Sequence, residues 1–276
     1  MTFPLNGTLV LAGAGKMGGA MIAGWLARGL SPQHVTVVDP APPPEVAALL
    51  ARHAIAIMGE AKPLPSPPAV IVVAVKPQIM EAVLPGLARM AGPETLLLSI
   101  AAGRTIASFE HHLPPGAAVV RAMPNTPAAI GRGMTVCVAN TAAGEPQRAL
   151  ATALLTAVGE VGWVEDEALM DAVTAVSGSG PAYVFLLAEA LAAAGRAQGL
   201  DAALADRLAR ATVSGSGELL HQSQDDAAQL RRNVTSPGGT TAAALGVLMR
   251  EGDGLPSLLA EAVAAATKRG RELAGG

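Results

Sequence analysis

The chain has 276 residues, 51% hydrophobic and 15% charged, with a formal net charge of −3. That apolar content supports a sizeable core in one large or two smaller domains and excludes a disordered chain. The slightly acidic balance, without a block of like charge, argues against nucleic acid or an anionic membrane as partner, so a small molecule is expected.

No apolar run reaches the roughly 18 residues of a membrane span, because the stretch from Ala182 is interrupted at Glu189. The chain does not open on a basic region followed by a signal-like apolar stretch, and a soluble, cytoplasmic protein is expected. The one cysteine, Cys137, excludes an internal disulfide and a thiolate metal cluster. It lies in the strand-like run Met134-Thr135-Val136-Cys137-Val138-Ala139, which favours buried packing over a nucleophile.

In chain order, strand candidates at 9–12, 35–39, 70–75, 96–100, 119–122, 135–139 and 161–164 alternate with helix-forming stretches at 17–28, 45–53, 79–90, 106–113 and 147–158. This alternation predicts an α/β fold with a parallel sheet covered by helices. The proline-rich stretches 40–44 and 63–68 are connectors, since neither continues a helix or a central strand. After residue 166 the strand pattern stops, and the remainder is alanine-rich and helical, broken at Gly178-Ser179-Gly180, Gly199, Pro237-Gly238-Gly239 and between Gly252 and Gly254. There Tyr183, Leu186, Leu187, Ala190, Leu191 and Ala194 recur at helical spacing. A surface this apolar predicts burial against a second copy of the chain, with two-fold symmetry as the default. The competing arrangement is a monomer whose helices pack on the first domain.

The first strand candidate runs into Gly13-Ala14-Gly15-Lys16-Met17-Gly18, a Gly-x-Gly-x-x-Gly pattern that opens a helix. Gly13 permits the tight turn, Gly15 lets the backbone approach a pyrophosphate, and Gly18 allows close helix packing. Asp39 ends the second strand candidate, where a carboxylate accepts bonds from the adenosine ribose hydroxyls. The expected organisation is therefore a dinucleotide-binding Rossmann domain at 1–166 and an all-helical substrate-binding and dimerisation domain at 167–276. The cofactor is NADPH or NADH. Asp39 favours NADH, because it repels a 2′-phosphate and no Arg or Lys follows until Arg52; alternatively it turns away and caps the Asp39-Pro40 turn.

Asn233-Val234-Thr235-Ser236-Pro237-Gly238-Gly239-Thr240-Thr241 concentrates hydroxyls and free backbone amides ahead of a helix-forming run. Such a loop is suited to an anion; the alternative is an ordinary turn with Thr240 or Thr241 as helix cap.

Further motifs lie just past the strand candidates: Ala74-Val75-Lys76-Pro77-Gln78, Ser99-Ile100-Ala101-Ala102-Gly103 and Arg121-Ala122-Met123-Pro124-Asn125-Thr126-Pro127. Together with Ser177-Gly178-Ser179-Gly180-Pro181-Ala182-Tyr183 and the Ser236 to Thr241 segment, they closely resemble pyrroline-5-carboxylate reductase. The resemblance runs from the glycine loop almost to the C-terminus and rests on the motifs' order and spacing. It implies reduction of the cyclic imine of pyrroline-5-carboxylate to L-proline by NAD(P)H, a helical dimerisation domain interleaved between subunits, and rings of dimers as a larger form. It also implies that Ser236, Gly239, Thr240 and Thr241 surround the substrate carboxylate, with the Thr241 hydroxyl near the ring nitrogen. Lys76, Pro77, Ala101 and Asn125 would lie along the nicotinamide and its ribose. The chain departs from the pattern in carrying Asp39 and prolines where many relatives place small polar or basic residues. It also lacks a Pro-Gly in Asp226-Ala227-Ala228-Gln229-Leu230.

No acid/base constellation is visible, and His34, His53, His111, His112 and His221 all fall outside these motifs. Metal-ligand spacing is likewise missing. Imine reduction requires neither, because a protonated imine already draws hydride to carbon. Thr241 is the leading candidate for orienting the ring nitrogen. Ser177 and Ser179 are better placed as N-caps than as ligands. Lys76 lies along the cofactor or in solvent, and Arg121 and Asn125 either contact the cofactor or pin the loop of Pro124 and Pro127. Two other functions compete: a hydroxyacid or other imine dehydrogenase of the same architecture, and a non-catalytic nucleotide-sensing scaffold.

Overall fold

Strands that read as continuous Val, Ile and Leu must be covered on both faces, and the first part of the chain is built that way. The computed structural model describes residues 5–274. Among them β1 (Leu9–Ala12), β2 (Val35–Val38), β3 (Ala56–Met58), β4 (Val70–Val73), β5 (Leu96–Ser99), β6 (Ala118–Met123), β7 (Gly133–Ala139) and β8 (Gly159–Trp163) form an 8-stranded sheet in the order β3-β2-β1-β4-β5-β6-β7-β8. The helices of this part are α1 (Lys16–Ala27), α2 (Pro44–Arg52), α3 (Met80–Ala88), α4 (Ile106–Glu110), α5 (Glu145–Thr156) and the short α6 (Met170–Val173).

Side chains alternate across each strand, so the sheet carries two cores. Leu9, Leu11, Val35, Val37, Val70 and Val72 pack on one face with Met21, Trp25 and Leu154 from α1 and α5. Val10, Ala12, Ile71, Val73 and Leu97 pack on the other with Met80, Leu84 and Phe109 from α3 and α4. The Trp25 indole, fully buried, donates to the Leu154 carbonyl at 2.8 Å and locks α1 to α5.

Each expected strand forms in place, but the sheet is not wholly parallel: β7 runs antiparallel to β6. The connection between them holds only a 3-10 turn, Thr126–Ile130, too short for the crossover a parallel pair needs. The sequence also left β3 unread. It is three residues long, pairs only with β2 and exposes Ile57, so it carries no periodic signal.

The chain divides into two compact units, one of residues up to Gly178 together with those from Thr267, the other Ser179–Ala266. The boundary expected at 166/167 lies upstream of that division, a few residues after β8 ends at Trp163. The second unit contains α7 (Gly180–Ala197), α8 (Ala202–Gln222), α9 (Ala227–Asn233), α10 (Thr240–Leu248) and the greater part of α11 (Leu255–Ala274). Its α7 and α8 pack through small residues, with Ala192, Ala205 and Ala209 buried and Gly195 facing Leu200 and Ala205. By contrast Phe185, Leu186, Leu187 and Leu220 are about half exposed or more.

The helical run Glu167–Ala197 is, by length and composition, apolar enough to cross a membrane even with Glu189 inside it, contrary to the expectation that no run reaches that length. Only 11% of its most apolar window is buried.

Cys137 sits within β7 at zero exposure, and burial pushes its thiol up to about 12. The group therefore stays neutral through the neutral and mildly alkaline range, where reactive cysteines are thiolates. Thiol reagents at about pH 8 should leave the native protein unmodified and label it once unfolded; rapid stoichiometric labelling of the native chain would contradict this placement.

Candidate active site

The glycine loop leaves β1 at the strand ends, where open α/β sheets bind ligands. Gly13 takes φ 92°, and a Cβ there would stand 2.7 Å from the Ala74 carbonyl oxygen. Its amide donates to the Val38 carbonyl at 3.0 Å, so the turn is stitched to β2. Gly15 precedes α1 and has open space where its Cβ would be, as an approaching ligand requires. A Cβ on Gly18 would collide with the Gly13 carbonyl, which explains the third glycine. Lys16 is exposed on the first turn of α1, while Met17 packs on the core.

Gly13 and Gly15 line a cavity of about 720 Å³ together with Asp39, Glu60, Lys76 and Arg89. Asp39 is held firmly: one carboxylate oxygen accepts the Ala14 amide at 2.7 Å and the other accepts the Ala41 amide at 2.9 Å. Asp39 thus caps its turn and also lines the cavity. Glu60, Ala61, Val83, Gly86 and Arg89 complete this wall. The sequence reading missed them, because they are brought there by the unread β3 and by α3.

Pro77, Ala101 and Asn125 lie outside that lining. Pro77 begins a 3-10 turn after Lys76. Ala101 is buried, its amide taken by the Ser99 hydroxyl at 3.2 Å. The Asn125 amide group donates to the Ser177 carbonyl and hydroxyl at 3.2 and 3.3 Å, and its oxygen accepts the Met134 amide at 2.8 Å. Asn125 thus pins its loop. Ser177 is a correction: it lies in a π-turn, Thr174–Gly178, and accepts from Asn125 instead of capping a helix. Ser179 occupies the N-cap position of α7 but makes no side-chain cap bond.

In the second unit, the Ser236 to Thr241 segment closes with the Gly239 amide donating to the Ser236 carbonyl at 3.1 Å, and Gly238 takes φ 70°. Gly239 is the N-cap of α10 and no side chain caps it. Thr240 and Thr241 are the first two helical residues, so neither serves as the cap. The segment presents uncapped first-turn amides beside hydroxyls, the arrangement that stabilises an anion. Among the described residues no cluster of His, Cys, Asp and Glu could hold a metal.

Residues 167–273 match the family model described as pyrroline-5-carboxylate reductase dimerisation, and residues 8–103 match one described as NADP oxidoreductase coenzyme F420-dependent. The chain is 41% identical over 266 residues to a pyrroline-5-carboxylate reductase from Pseudomonas aeruginosa, covering 96% of each chain. It belongs to the pyrroline-5-carboxylate reductase family. The Synechocystis reductase is 48% identical over 204 residues, 74% of each chain. Among solved structures, the reductase of Coxiella burnetii superposes with a TM-score of 0.89 at 33% identity, covering 97% of this chain and 98% of that one. The Plasmodium falciparum enzyme, with NADP bound, gives 0.80 at 28% identity, over 99% and 100%. The first part is thus a Rossmann-like nucleotide domain and the second a helical dimerisation domain.

Gly18→Ala should force the loop off the helix and cost about 1–3 kcal/mol of stability, read by denaturant unfolding. An unchanged midpoint would show that the Gly13 carbonyl moves aside freely.

Proposed function

We propose that this protein reduces 1-pyrroline-5-carboxylate to L-proline with a reduced pyridine dinucleotide. The observation that carries this reading is 41% identity over 96% of the chain to a reductase of that name, joined to the residues present. The glycine loop, the open space at Gly15 and the cavity suit a dinucleotide, and the uncapped start of α10 suits a carboxylate.

When bound, the reduced nicotinamide supplies a hydride to the carbon of the protonated C=N bond, whose π electrons pass to nitrogen. The chain's part is positioning. The α1 N-terminus and the Gly15 backbone hold the pyrophosphate, and Asp39 accepts from the adenosine ribose. Lys76, Pro77 and Ala101 border the nicotinamide end, while Asn125 acts through the loop it fixes. Ser236, Gly239 and Thr240 hold the substrate carboxylate, and Thr241 accepts from the ring N–H and stabilises the amine as it forms.

The chain should consume NADH or NADPH only when the imine is supplied, and turnover of hydroxyacids in its place would overturn the assignment. In Thr241→Ala, kcat/KM should fall by about 1–3 kcal/mol in transition-state stabilisation; an unchanged value would leave Thr241 a helix residue only.

NADH is favoured over NADPH. A 2′-phosphate at the end of β2 meets the Asp39 carboxylate, which two backbone amides hold in place, while Glu60 on the same wall offsets the charge of Arg89 there. Removing the charge in Asp39→Asn should move the ratio of kcat/KM for NADPH over NADH upward by about tenfold, or ~1.4 kcal/mol. A wild-type enzyme that prefers NADPH would refute this preference.

The protein acts as a homodimer through its helical domain. Phe185 and Leu186 are exposed in a region matched by a dimerisation family model, and apolar surface of that extent belongs in an interface. A solution mass of one chain would contradict this.

A further inference from the structure

Arg121 lies on β6 between Ser99 of β5 and Val138 of β7, and its side chain is only 7% exposed. A guanidinium so enclosed needs a counter-charge, which comes from Glu167 at 2.7 Å. The same carboxylate oxygen, Oε1, also accepts the amide of Ile106 at 2.9 Å. Ile106 is the first residue of α4, so one oxygen ties the end of the β5–α4 loop to β6.

That loop is fastened elsewhere too. The Ser99 hydroxyl accepts the Ala101 amide near its start, and Arg104 donates to the Pro77 carbonyl at 3.3 Å and to Glu81 at 2.8 Å. The Glu81 contact is more than half exposed on the Glu81 side and contributes little. Glu167 is the tie with a buried charge behind it. It belongs to none of the motifs that mark the cofactor site and stands at the first position of the dimerisation match.

We infer that Glu167 is a positioning residue for the cofactor: through the Ile106 amide it sets residues 100–106, and with them Ala101 and Pro77, for the nicotinamide end. This rests on the reading that Ala101 and Pro77 border the nicotinamide. A purely structural ion pair would stabilise the fold by neutralising Arg121 and do no more. Separate variants distinguish the two roles, because the charge serves Arg121 whereas the acceptor serves Ile106.

The experiment measures thermal stability, the NADH dissociation constant by fluorescence titration, and kcat/KM with the imine. Glu167→Ala should lose stability and weaken NADH binding by about tenfold. Glu167→Gln keeps an acceptor for Ile106, so it should lose stability yet bind NADH within about threefold of wild type. The double variant Arg121→Met with Glu167→Leu removes both charges and should regain stability, while its NADH affinity stays as low as that of Glu167→Ala. Recovery of affinity along with stability in the double variant would reduce Glu167 to an ion-pair partner and overturn the inference. So would Glu167→Gln binding as poorly as Glu167→Ala. Because the readout is dinucleotide affinity, a wild type that binds NADH but leaves the imine unreduced would refute the proposed reaction while leaving this test intact.

Discussion

The backbone of β1 and the backbone that follows β4 come so close at Gly13 that no side chain fits between them, and much of the cofactor site depends on that approach. Ala74 donates to the Ala12 carbonyl at 2.7 Å, which draws the end of β4 against the glycine loop. The same approach puts Val75 and Lys76 on the wall of the cavity that Gly13 and Gly15 open. A glycine at 13, with its positive φ, lets the loop turn back over the strand ends. Gly18 then allows α1 to begin at once, directly after the Gly15 that lines the cavity.

Anchoring recurs throughout the first unit in the form of carboxylates and amides that bind backbone. Asp39 takes two amides, Asn125 holds both its own loop and Ser177, and Glu167 takes a buried arginine and the first amide of α4. Each fastens a loop at a strand end, and hydride transfer depends on such fixed alignment of donor and acceptor. Of the two roles open to Asn125 in the sequence, pinning its loop is the one its bonds to Ser177 and Met134 fulfil.

The helical unit follows a different economy. Its buried apolar side chains are alanines, which bring α7 and α8 close but provide little core. Its larger apolar side chains point outward, and the family's dimerisation domain accounts for them. The Ser236 to Thr241 segment is shaped by backbone, with the turn at Gly238 leading into the uncapped start of α10.

The order and type of most elements, the glycine loop and the hydroxyl-rich segment were legible in the sequence, because each is written in near neighbours: short continuous apolar runs, glycines at fixed offsets, a turn ahead of a helix former. β3 was not, being three residues on an edge. Nor was the reversal at β7, which follows from the shortness of its connection. Glu60 and Arg89 reach the cavity, and Glu167 reaches Arg121 and Ile106, only through strand and helix placement. Such pairings join residues far apart in the chain, and nothing local in either partner specifies them. The tertiary structure alone decided those, because side-chain reach is set by how the sheet and its helices pack, and packing is a property of the whole domain.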